Sequence, residues 1–461
     1  MKKVFLLLCA LSVLPFSWIQ AEVKLPAIFS DHMVLQRDVD VPVWGWADAG
    51  EKVTVSFAGK TVTTTARDDG EWMLKLPAQA ANPKPQKLKV MGSNEIVFNN
   101  VLIGDVWICS GQSNMEWPLR RCTKKADEVV AAAKDNTQLR MFDVAKHIKA
   151  AEPAENCPGS WETTEDANAL LQFSGTGFFF GSKLQAELGI PIGLIGTNWG
   201  GTPVDEWISN EAYQELMDRG RKQSIYNGMV APLVPYAIKG AIWYQGESNR
   251  GNAFPAYFEK MNALITGWRE DFQVGDFPFY QVQIAPFKYN RKKAGDDTLL
   301  AKNIWASQFK AAEEIKNCGM VPIHDTLHGN ITDIHPWDKQ PVGERLAMLA
   351  LKDTYGKEVP HSGPEFASAK ASGKEVIVSF DGVVDGLATF DGKDVAHFEL
   401  AGADGEFVAA TAEIVGNTVV VSAIGVDEPK QVRMGWNETH VPNLADKNGW
   451  PVFQFPAKKV E

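Results

Sequence analysis

Residues Gly104-Asp-Val-Trp-Ile-Cys-Ser-Gly-Gln-Ser-Asn-Met115 form an apolar run that ends abruptly in small and polar residues. This pattern predicts a buried strand that delivers Ser113 into a tight turn. Gly111 allows the sharp backbone and the close approach that such a turn needs. A serine hydroxyl becomes a useful nucleophile only with a fixed turn, a nearby base and donors for an oxyanion. Gly-x-Ser alone also fits an ordinary strand followed by a turn. Other segments must therefore decide whether Ser113 is a nucleophile or a simple turn residue.

The region from residue 102 to residue 358 alternates apolar strands with periodic helices. Strands are predicted at 139–144, 192–197, 240–245, 279–284 and 320–324, and helices near 180–188, 257–268, 305–312 and 342–349. This alternation predicts parallel βαβ units and an α/β sheet. In such sheets, ligands bind outside the carboxyl ends of the strands.

Two β-rich regions flank this predicted core. From residue 22 to residue 101, short alternating runs predict an antiparallel module of sandwich type, with Pro83 to Pro85 in one of its turns. From residue 359 to residue 461, helical periodicity disappears and short strands return. We therefore expect a small second β module of similar, sandwich-like type at the end of the chain.

Composition narrows the classes of partner. The chain has 461 residues and a formal net charge of −11, which argues against nucleic acid because phosphate binding needs clustered Lys and Arg. Its 15 tryptophans favour a carbohydrate ligand, because aromatic faces pack well on sugar rings, although Trp also fills cores. After the first 21 residues, no apolar run reaches the length of a membrane span.

The first 21 residues have the features of a secretory signal. A charged start at Met1-Lys2-Lys3 precedes an apolar stretch and the small residue Ala21, after which we expect cleavage. The mature protein is therefore expected to be exported, to the periplasm or the medium. Its even number of cysteines fits either one disulfide, Cys122 with Cys157, or four buried thiols: Cys109, Cys122, Cys157 and Cys318.

Two further segments place polar groups at the carboxyl ends of predicted strands. Gly200-Gly201 follows the strand at 192–197, and the pair either offers a backbone N–H to an oxyanion or is simply a turn. Gln245 ends the predicted strand at 240–245, where its side-chain amide is a possible hydrogen-bond donor for the site. Alternatively, it is a polar loop residue whose hydrogen bonds are satisfied within the protein.

A fourth segment, Asp333-Ile-His335-Pro, supplies a candidate base. An imidazole is the natural base at neutral pH, and a carboxylate two residues away can hold its tautomer and stabilise the imidazolium. His324 and His328 are competing histidines, but the first lies in a predicted strand and the second has no better-placed acid.

Taken in order, these segments resemble the four sequence blocks of the SGNH hydrolases, and more closely the sialate O-acetylesterase family. Five stretches carry the resemblance, which spans nearly the whole mature chain: Phe29-Ser-Asp-His-Met-Val-Leu-Gln36, Gly104 to Met115, Asn198-Trp-Gly-Gly-Thr202, Trp243-Tyr-Gln-Gly-Glu-Ser-Asn249 and Asp333 to Leu346. The early stretch is typical of bacterial members. The resemblance implies an SGNH-type, flavodoxin-like core that hydrolyses acetyl esters on sugars without a cofactor or metal.

The resemblance also implies roles for individual residues. Ser113 is the nucleophile, His335 the base and Asp333 its orienting acid. The oxyanion donors are the N–H groups of Ser113 and Gly201 together with the Gln245 side chain. The Asp-x-His spacing leaves two alternative acids open, Asp325 and Glu247.

The sugar itself is poorly specified by the sequence. Trp199 and Trp337, with Trp117 and Trp207, flank the catalytic segments and are candidates for stacking on pyranose faces. Arg120, with its neighbour Arg121, is a candidate partner for the carboxylate of a sialic acid, or else part of a solvated basic pair. The alternatives to a sialic acid acetylesterase are an esterase for acetylated xylan or another plant oligosaccharide, a sugar acetyltransferase and a non-catalytic carbohydrate-binding protein.

Overall fold

The computed structural model describes residues 22–218, 223–251, 254–289 and 297–461. The predicted signal, residues 1–21, lies outside the described residues. The first part of the described chain consists of seven strands: β1 (Val34–Gln36), β2 (Val41–Trp46), β3 (Lys52–Phe57), β4 (Lys60–Thr65), β5 (Glu71–Leu76), β6 (Asn82–Met91) and β7 (Glu95–Gly111).

These N-terminal strands are mainly antiparallel, as their alternating sequences predict. β3 pairs with β4 and β6, β6 pairs with β7, and β2 pairs with β5. The prediction that Pro83 to Pro85 lie in a turn is wrong, because both prolines belong to β6. They occupy its irregular first part, where the register with β7 shifts, and a residue without an N–H is tolerated there.

In its described residues, the central region contains six further strands and nine α-helices. The strands are β8 (Leu139–Asp143), β9 (Trp161–Thr163), β10 (Ile192–Asn198), β11 (Gly240–Tyr244), β12 (Phe279–Val282) and β13 (Cys318–Val321). The helices are α1 (Ser113–Glu116), α2 (Ala126–Ala133), α3 (Ala167–Gln172), α4 (Gly175–Leu188), α5 (Asn210–Met217), α6 (Ser224–Met229), α7 (Tyr257–Phe272), α8 (Ala306–Glu314) and α9 (Gln340–Asp353).

The central sheet has the strand order β13-β12-β11-β7-β10-β8-β9 and is parallel except at β9. β7 lies in its middle, and residues 101–111 are all buried, which explains their continuous apolar run. β7 pairs with β10 on one side and with β11 on the other. The connections therefore diverge at the carboxyl end of β7, and a crevice opens there. Ser113 lies at this end.

The predicted helices agree with the structure because their apolar periodicity faces the sheet. α4 begins where the Ser174 hydroxyl accepts a hydrogen bond from the Gly177 N–H, and it ends at Gly189, whose φ of 64° closes the helix. α9 packs against α4 and buries Val342 and Leu346. Four strands end earlier than predicted: β8 at Asp143, β11 at Tyr244, β12 at Val282 and β13 at Val321, after which His324 begins a 3₁₀ turn.

The C-terminal part forms a third group of strands: β14 (Glu365–Ser372), β15 (Glu375–Asp381), β16 (Leu387–Thr389), β17 (Phe398–Ala401), β18 (Phe407–Ala409), β19 (Thr411–Val415), β20 (Thr418–Ser422), β21 (Gln431–Met434), β22 (Leu444–Asp446) and β23 (Phe455–Lys459). They pair in two four-stranded sheets and one two-stranded sheet around a hydrophobic core of their own. Trp436 belongs instead to the main core.

The predicted α/β class, with a central mostly parallel sheet and additional β-sheet modules, is confirmed. The predicted boundaries at 101/102 and 358/359 stay a prediction. β7 runs through the first of them: Glu95 to Val101 pair with β6, and Asp105 to Gly111 pair with β10. The N-terminal module and the central sheet also share one hydrophobic core.

The cysteines of the described chain are all free thiols. The possible Cys122–Cys157 disulfide is therefore not formed. Three of the thiols are buried, as the alternative of four buried thiols expects, whereas Cys318 is only partly buried. Cys122 is fully buried, with its Sγ 3.4 Å from the Trp117 carbonyl oxygen. Within the described ranges, no helix is both long enough and apolar enough to cross a membrane.

Candidate active site

Ser113 is the first residue of α1, immediately after β7. The turn depends on Gly111, whose φ of 137° is a conformation that residues with a side chain rarely adopt. A Cβ at Gly111 would also lie 2.3 Å from the carbonyl oxygen of Tyr244 on the neighbouring strand. The sequence therefore uses glycine to bring β7 and β11 close together and to turn the serine out of the sheet.

His335 meets this serine from a loop that is 222 residues further along the chain. Its Nε2 lies 2.9 Å from Ser113 Oγ, which is hydrogen-bonding distance for a base and its nucleophile. The imidazole stacks on the indole of Trp117, with ring centroids 4.8 Å apart and planes inclined by 23°. The prediction that these two segments converge is thus matched by the geometry.

The surroundings of His335 favour the neutral imidazole that a general base needs. Burial lowers the pKa of His335, the positive charges of Lys339 and Arg121 lower it further, and the Asp333 carboxylate opposes them. Asp333 lies beside the histidine, but its Oδ1 accepts a hydrogen bond from the His335 backbone N–H at 2.9 Å. Among the described residues, no side chain hydrogen-bonds to His335 Nδ1.

The two alternative acids are engaged elsewhere. Asp325 forms a bidentate ion pair with Arg345 of α9, at 2.7 and 2.6 Å, and this pairing overrides burial and keeps the pKa of Asp325 below its usual range. Glu247 accepts a hydrogen bond from the Asn114 side chain. Of the three carboxylates, only Asp333 contacts His335 in this structure.

The Gly200-Gly201 turn lies directly against the serine. A Cβ at Gly200 would be 3.2 Å from Ser113 Cβ, and the Gly200 N–H donates to Glu116 Oε2 at 2.6 Å. The N–H groups of Gly201 and Ser113 form no hydrogen bond with other described residues. Neither N–H group is therefore committed to another described residue, as an oxyanion donor requires.

The Gln245 side chain takes part in a buried hydrogen-bond network. It is fully buried, and its amide nitrogen donates to Gln112 at 3.0 Å, to Thr202 at 3.2 Å and to Asn249 at 2.8 Å. Its carbonyl oxygen accepts from the Tyr257 hydroxyl at 2.9 Å. Since its donors are used internally, Gln245 supports the floor of the site here, and its oxyanion role stays a prediction that this geometry does not favour.

A buried polar cluster below the serine is absent from the sequence predictions. Lys339 Nζ donates to Asn114 Oδ1 at 2.6 Å, while Asn114 Nδ2 donates to Glu247 and to the carbonyl of Ile334 at 3.0 Å. Burial lowers the pKa of Lys339 to about 8 and raises the pKa of Glu247. Asn114 thus ties the serine turn to the residue that precedes His335.

The predicted sugar-binding residues differ in their burial and in their contacts. Trp199 and Trp337 are half-buried beside the catalytic segments, stacked on His147 and His328 respectively, whereas Trp207 is fully buried in the core. Arg120 is exposed and makes no ion pair or ring contact with the described residues. Its neighbour Arg121 lies over Trp117 at 5.9 Å, next to His335. The structure therefore favours Arg121 over Arg120 as the cation of the site.

No group of His, Cys, Asp or Glu side chains in the described ranges is arranged to hold a metal ion.

Comparison with known proteins decides the family. Residues 103–352, more than half of the chain, match the family model described as carbohydrate esterase, sialic acid-specific acetylesterase. This chain belongs to that family. The esterase is 28% identical to human sialate O-acetylesterase over 387 residues, covering 74% of this chain and 73% of that protein. Rat sialate O-acetylesterase is 28% identical over 417 residues, covering 74% and 75%.

A solved structure resembles the esterase over almost its full length. The carbohydrate acetylesterase from Xanthomonas citri superposes with a TM-score of 0.85 at 36% identity, covering 94% of this chain and 99% of that one. These relationships confirm the predicted activity class, an esterase that removes acetyl groups from carbohydrate. They support an enzyme over the alternative of a non-catalytic binding protein.

Proposed function

We propose that this esterase hydrolyses O-acetyl esters of sialic acid through an acetyl-enzyme formed on Ser113. The observation that carries the proposal is the 2.9 Å contact between Ser113 Oγ and His335 Nε2. The N–H groups of Ser113 and of Gly201, the residue after the Gly200 that lies against the serine, have no hydrogen-bond partner among the described residues. A nucleophile, a base and oxyanion donors at one point are the minimum set for acyl transfer.

The proposed reaction has two halves. His335 takes the proton of Ser113 as Oγ attacks the acetyl carbonyl, and the two N–H groups stabilise the resulting oxyanion. The sugar hydroxyl leaves with the proton from the imidazolium. Water then attacks the acetyl-serine with His335 again as base, releasing acetate and restoring the serine.

Asp333 contributes through its position and charge. Its hydrogen bond to the His335 backbone N–H fixes the loop, and its carboxylate stabilises the imidazolium across space. We assign Gln245 a supporting role, because its amide holds Gln112, the residue before the nucleophile. The predicted triad therefore becomes a Ser113–His335 pair with Asp333 acting on the base indirectly.

The family model and the sialate O-acetylesterases among the relatives support sialic acid as the substrate. Arg121 supports it further, because an exposed guanidinium next to the base is a suitable partner for a sugar carboxylate. Acetylated xylan or another plant oligosaccharide is the second candidate, since the Xanthomonas citri relative carries only the broader description of a carbohydrate acetylesterase.

Three further parts of the proposal concern the type of fold, the bounds of the catalytic domain and the export of the protein. The core is proposed to be SGNH-type, because the strands β10-β7-β11-β12-β13 have the flavodoxin-like order 2-1-3-4-5 once the additional strands β8 and β9 are set aside. The catalytic domain is proposed to span residues 102–358. The protein is proposed to be a bacterial enzyme exported by cleavage after Ala21, and N-terminal sequencing of the secreted or periplasmic form tests this.

The test is release of free acetate from a small acetyl ester and from O-acetylated sialic acid. We expect Ser113→Ala and His335→Ala each to lower kcat at least about a thousandfold, because such residues act as a unit. Ser160→Ala, which changes an exposed serine, should leave the rate unchanged. An unimpaired Ser113→Ala enzyme would refute the proposal, and acetyl found on an acceptor sugar without free acetate would indicate a transferase.

A further inference from the structure

A groove of about 510 Å³ lies between the catalytic core and the C-terminal strands. This volume is within the range of sites for small ligands. Its lining combines one exposed aromatic ring with carboxylate, amide, imidazole and ammonium groups, from Asp325, His328, Phe390, Asp391, Lys393 and Asn443. An apolar face surrounded by a few orienting polar groups is the usual composition of a sugar subsite.

His328 connects this groove to the catalytic base. A smaller cavity of about 110 Å³ is lined by His328, Asp333, His335 and Trp337. The His328 ring stacks on Trp337 at 5.2 Å, and its Nε2 lies 3.2 Å from Asp338. His328 is thus a wall shared by the groove and by the cavity that contains His335.

The aromatic ring of the groove is Phe390, which is 41% exposed. Its backbone is fixed, because the Phe390 N–H donates to the Asn443 carbonyl at 3.0 Å. The Asn443 side chain is buried and donates to Asp391 Oδ1 at 2.8 Å and to the Asp394 carbonyl at 3.0 Å. The ring is thus presented to solvent by a turn that is already ordered.

The wall that carries Phe390 is firmly attached to the core. Arg250, just beyond β11, forms a bidentate ion pair with the buried Glu438 at 2.6 and 2.7 Å. The neighbouring Trp436 packs on Trp305 with ring centroids 5.8 Å apart. Both walls of the groove therefore keep a fixed separation, which reduces the entropy cost of binding.

We propose that this groove binds the neutral sugar units that are attached to the acetylated sugar, so that the enzyme prefers oligosaccharides to single sugars. The charges around the groove favour an uncharged ligand, since Asp325 is paired with Arg345 and Asp391 lies 3.5 Å from Lys393. Phe390 provides the stacking face. This proposal rests on the proposed acetylesterase function and adds the C-terminal module to the substrate site.

The experiment compares kcat/KM on matched pairs of esters. O-acetylated sialic acid is compared with O-acetylated sialyllactose, and acetylated xylose with acetylated xylohexaose, with 4-nitrophenyl acetate as the substrate that cannot reach the groove. We expect the longer member of the hydrolysed pair to be preferred. Phe390→Ala should lower the ratio of kcat/KM between the longer and the shorter ester by about 3- to 10-fold, which is the contribution of one aromatic stacking contact. Its rate on 4-nitrophenyl acetate should stay unchanged.

Two variants serve as controls. Phe390→Trp keeps a stacking face and should keep the preference, and Ile424→Ala removes a fully exposed apolar side chain of the same module outside the groove and should have no effect. Equal rates on short and long esters, or a preference that survives Phe390→Ala, would overturn the subsite while leaving the esterase intact. Failure to hydrolyse 4-nitrophenyl acetate and both pairs would overturn the proposed function itself, and the subsite with it.

Discussion

Replacing Asn114 by alanine tests how the catalytic serine and histidine are held together. Asn114 is 1% exposed and links Lys339, Glu247 and the Ile334 carbonyl. The variant loses one neutral hydrogen bond, worth about 1 kcal/mol, and leaves a buried ammonium and a buried carboxylate without their shared partner. Each hydrogen bond to a charged group is worth about 1.5–3 kcal/mol, and two are lost, so we expect the free energy of unfolding to fall by roughly 3–5 kcal/mol.

The assay is urea denaturation followed by tryptophan fluorescence, with Asn136→Ala as the matched control. Asn136 is half-buried and donates one neutral hydrogen bond, to Gln185 at 3.1 Å, so its loss should cost only about 1 kcal/mol. Adding Lys339→Met to Asn114→Ala removes the unpaired ammonium, and the two changes should be non-additive by at least about 1 kcal/mol.

The same substitution should impair catalysis. Without Asn114 the His335 loop loses its link to the serine turn, and a displacement of about 1 Å between reacting groups can cost roughly a hundredfold. We expect kcat to fall about 10- to 100-fold with little change in KM. Equal destabilisation by Asn114→Ala and Asn136→Ala, together with an unchanged kcat, would refute the role assigned to this cluster.

Three further predictions concern the base, its acid and the oxyanion turn. Activity should fall as pH falls through the pKa of His335, and Arg121→Gln should move this fall to higher pH at low salt, because it removes a positive charge that lowers that pKa. An equal shift in Arg120→Gln would contradict the choice of Arg121 as the cation beside the base. Asp333→Asn keeps the acceptor for the backbone N–H, so kcat should fall less than about tenfold; a loss near 10⁴-fold would indicate a direct bond to the imidazole during turnover. Gly200→Ala places a methyl group against the catalytic serine and should lower kcat about 10- to 100-fold with little change in Tm; an unchanged kcat would exclude this turn from the oxyanion site.

The sequence predicts those parts of the fold and site that depend on local pattern. The apolar run of β7 is continuous because both faces of the strand are buried, and this pattern is enough to predict that Ser113 lies at the edge of a sheet. Parallel strands bring their carboxyl ends together, so the convergence of Ser113 after β7 with Gly200 after the neighbouring β10 follows from strand order.

Other features depend on contacts that no local pattern encodes. Asp325 is a reasonable orienting acid by its place in the sequence, but Arg345 of α9 takes both of its oxygens. Lys339 attracts no functional prediction, because a buried lysine is rare and is recognised only when its partners Asn114 and Glu247 are known.

The prolines of β6 are wrongly predicted for a similar reason. Pro83 and Pro85 usually mark a turn, and they are tolerated in this strand only because its register with β7 is irregular there.

The most direct test of the central claim is labelling of the enzyme with a fluorophosphonate, followed by mass spectrometry of the modified peptide. If Ser113 is the nucleophile activated by His335, one label should attach at Ser113, and acetate release should be lost in proportion to labelling. His335→Ala should label far more slowly, and Ser113→Ala should not label at all. Attachment at another residue, or full activity in the labelled enzyme, would contradict the account.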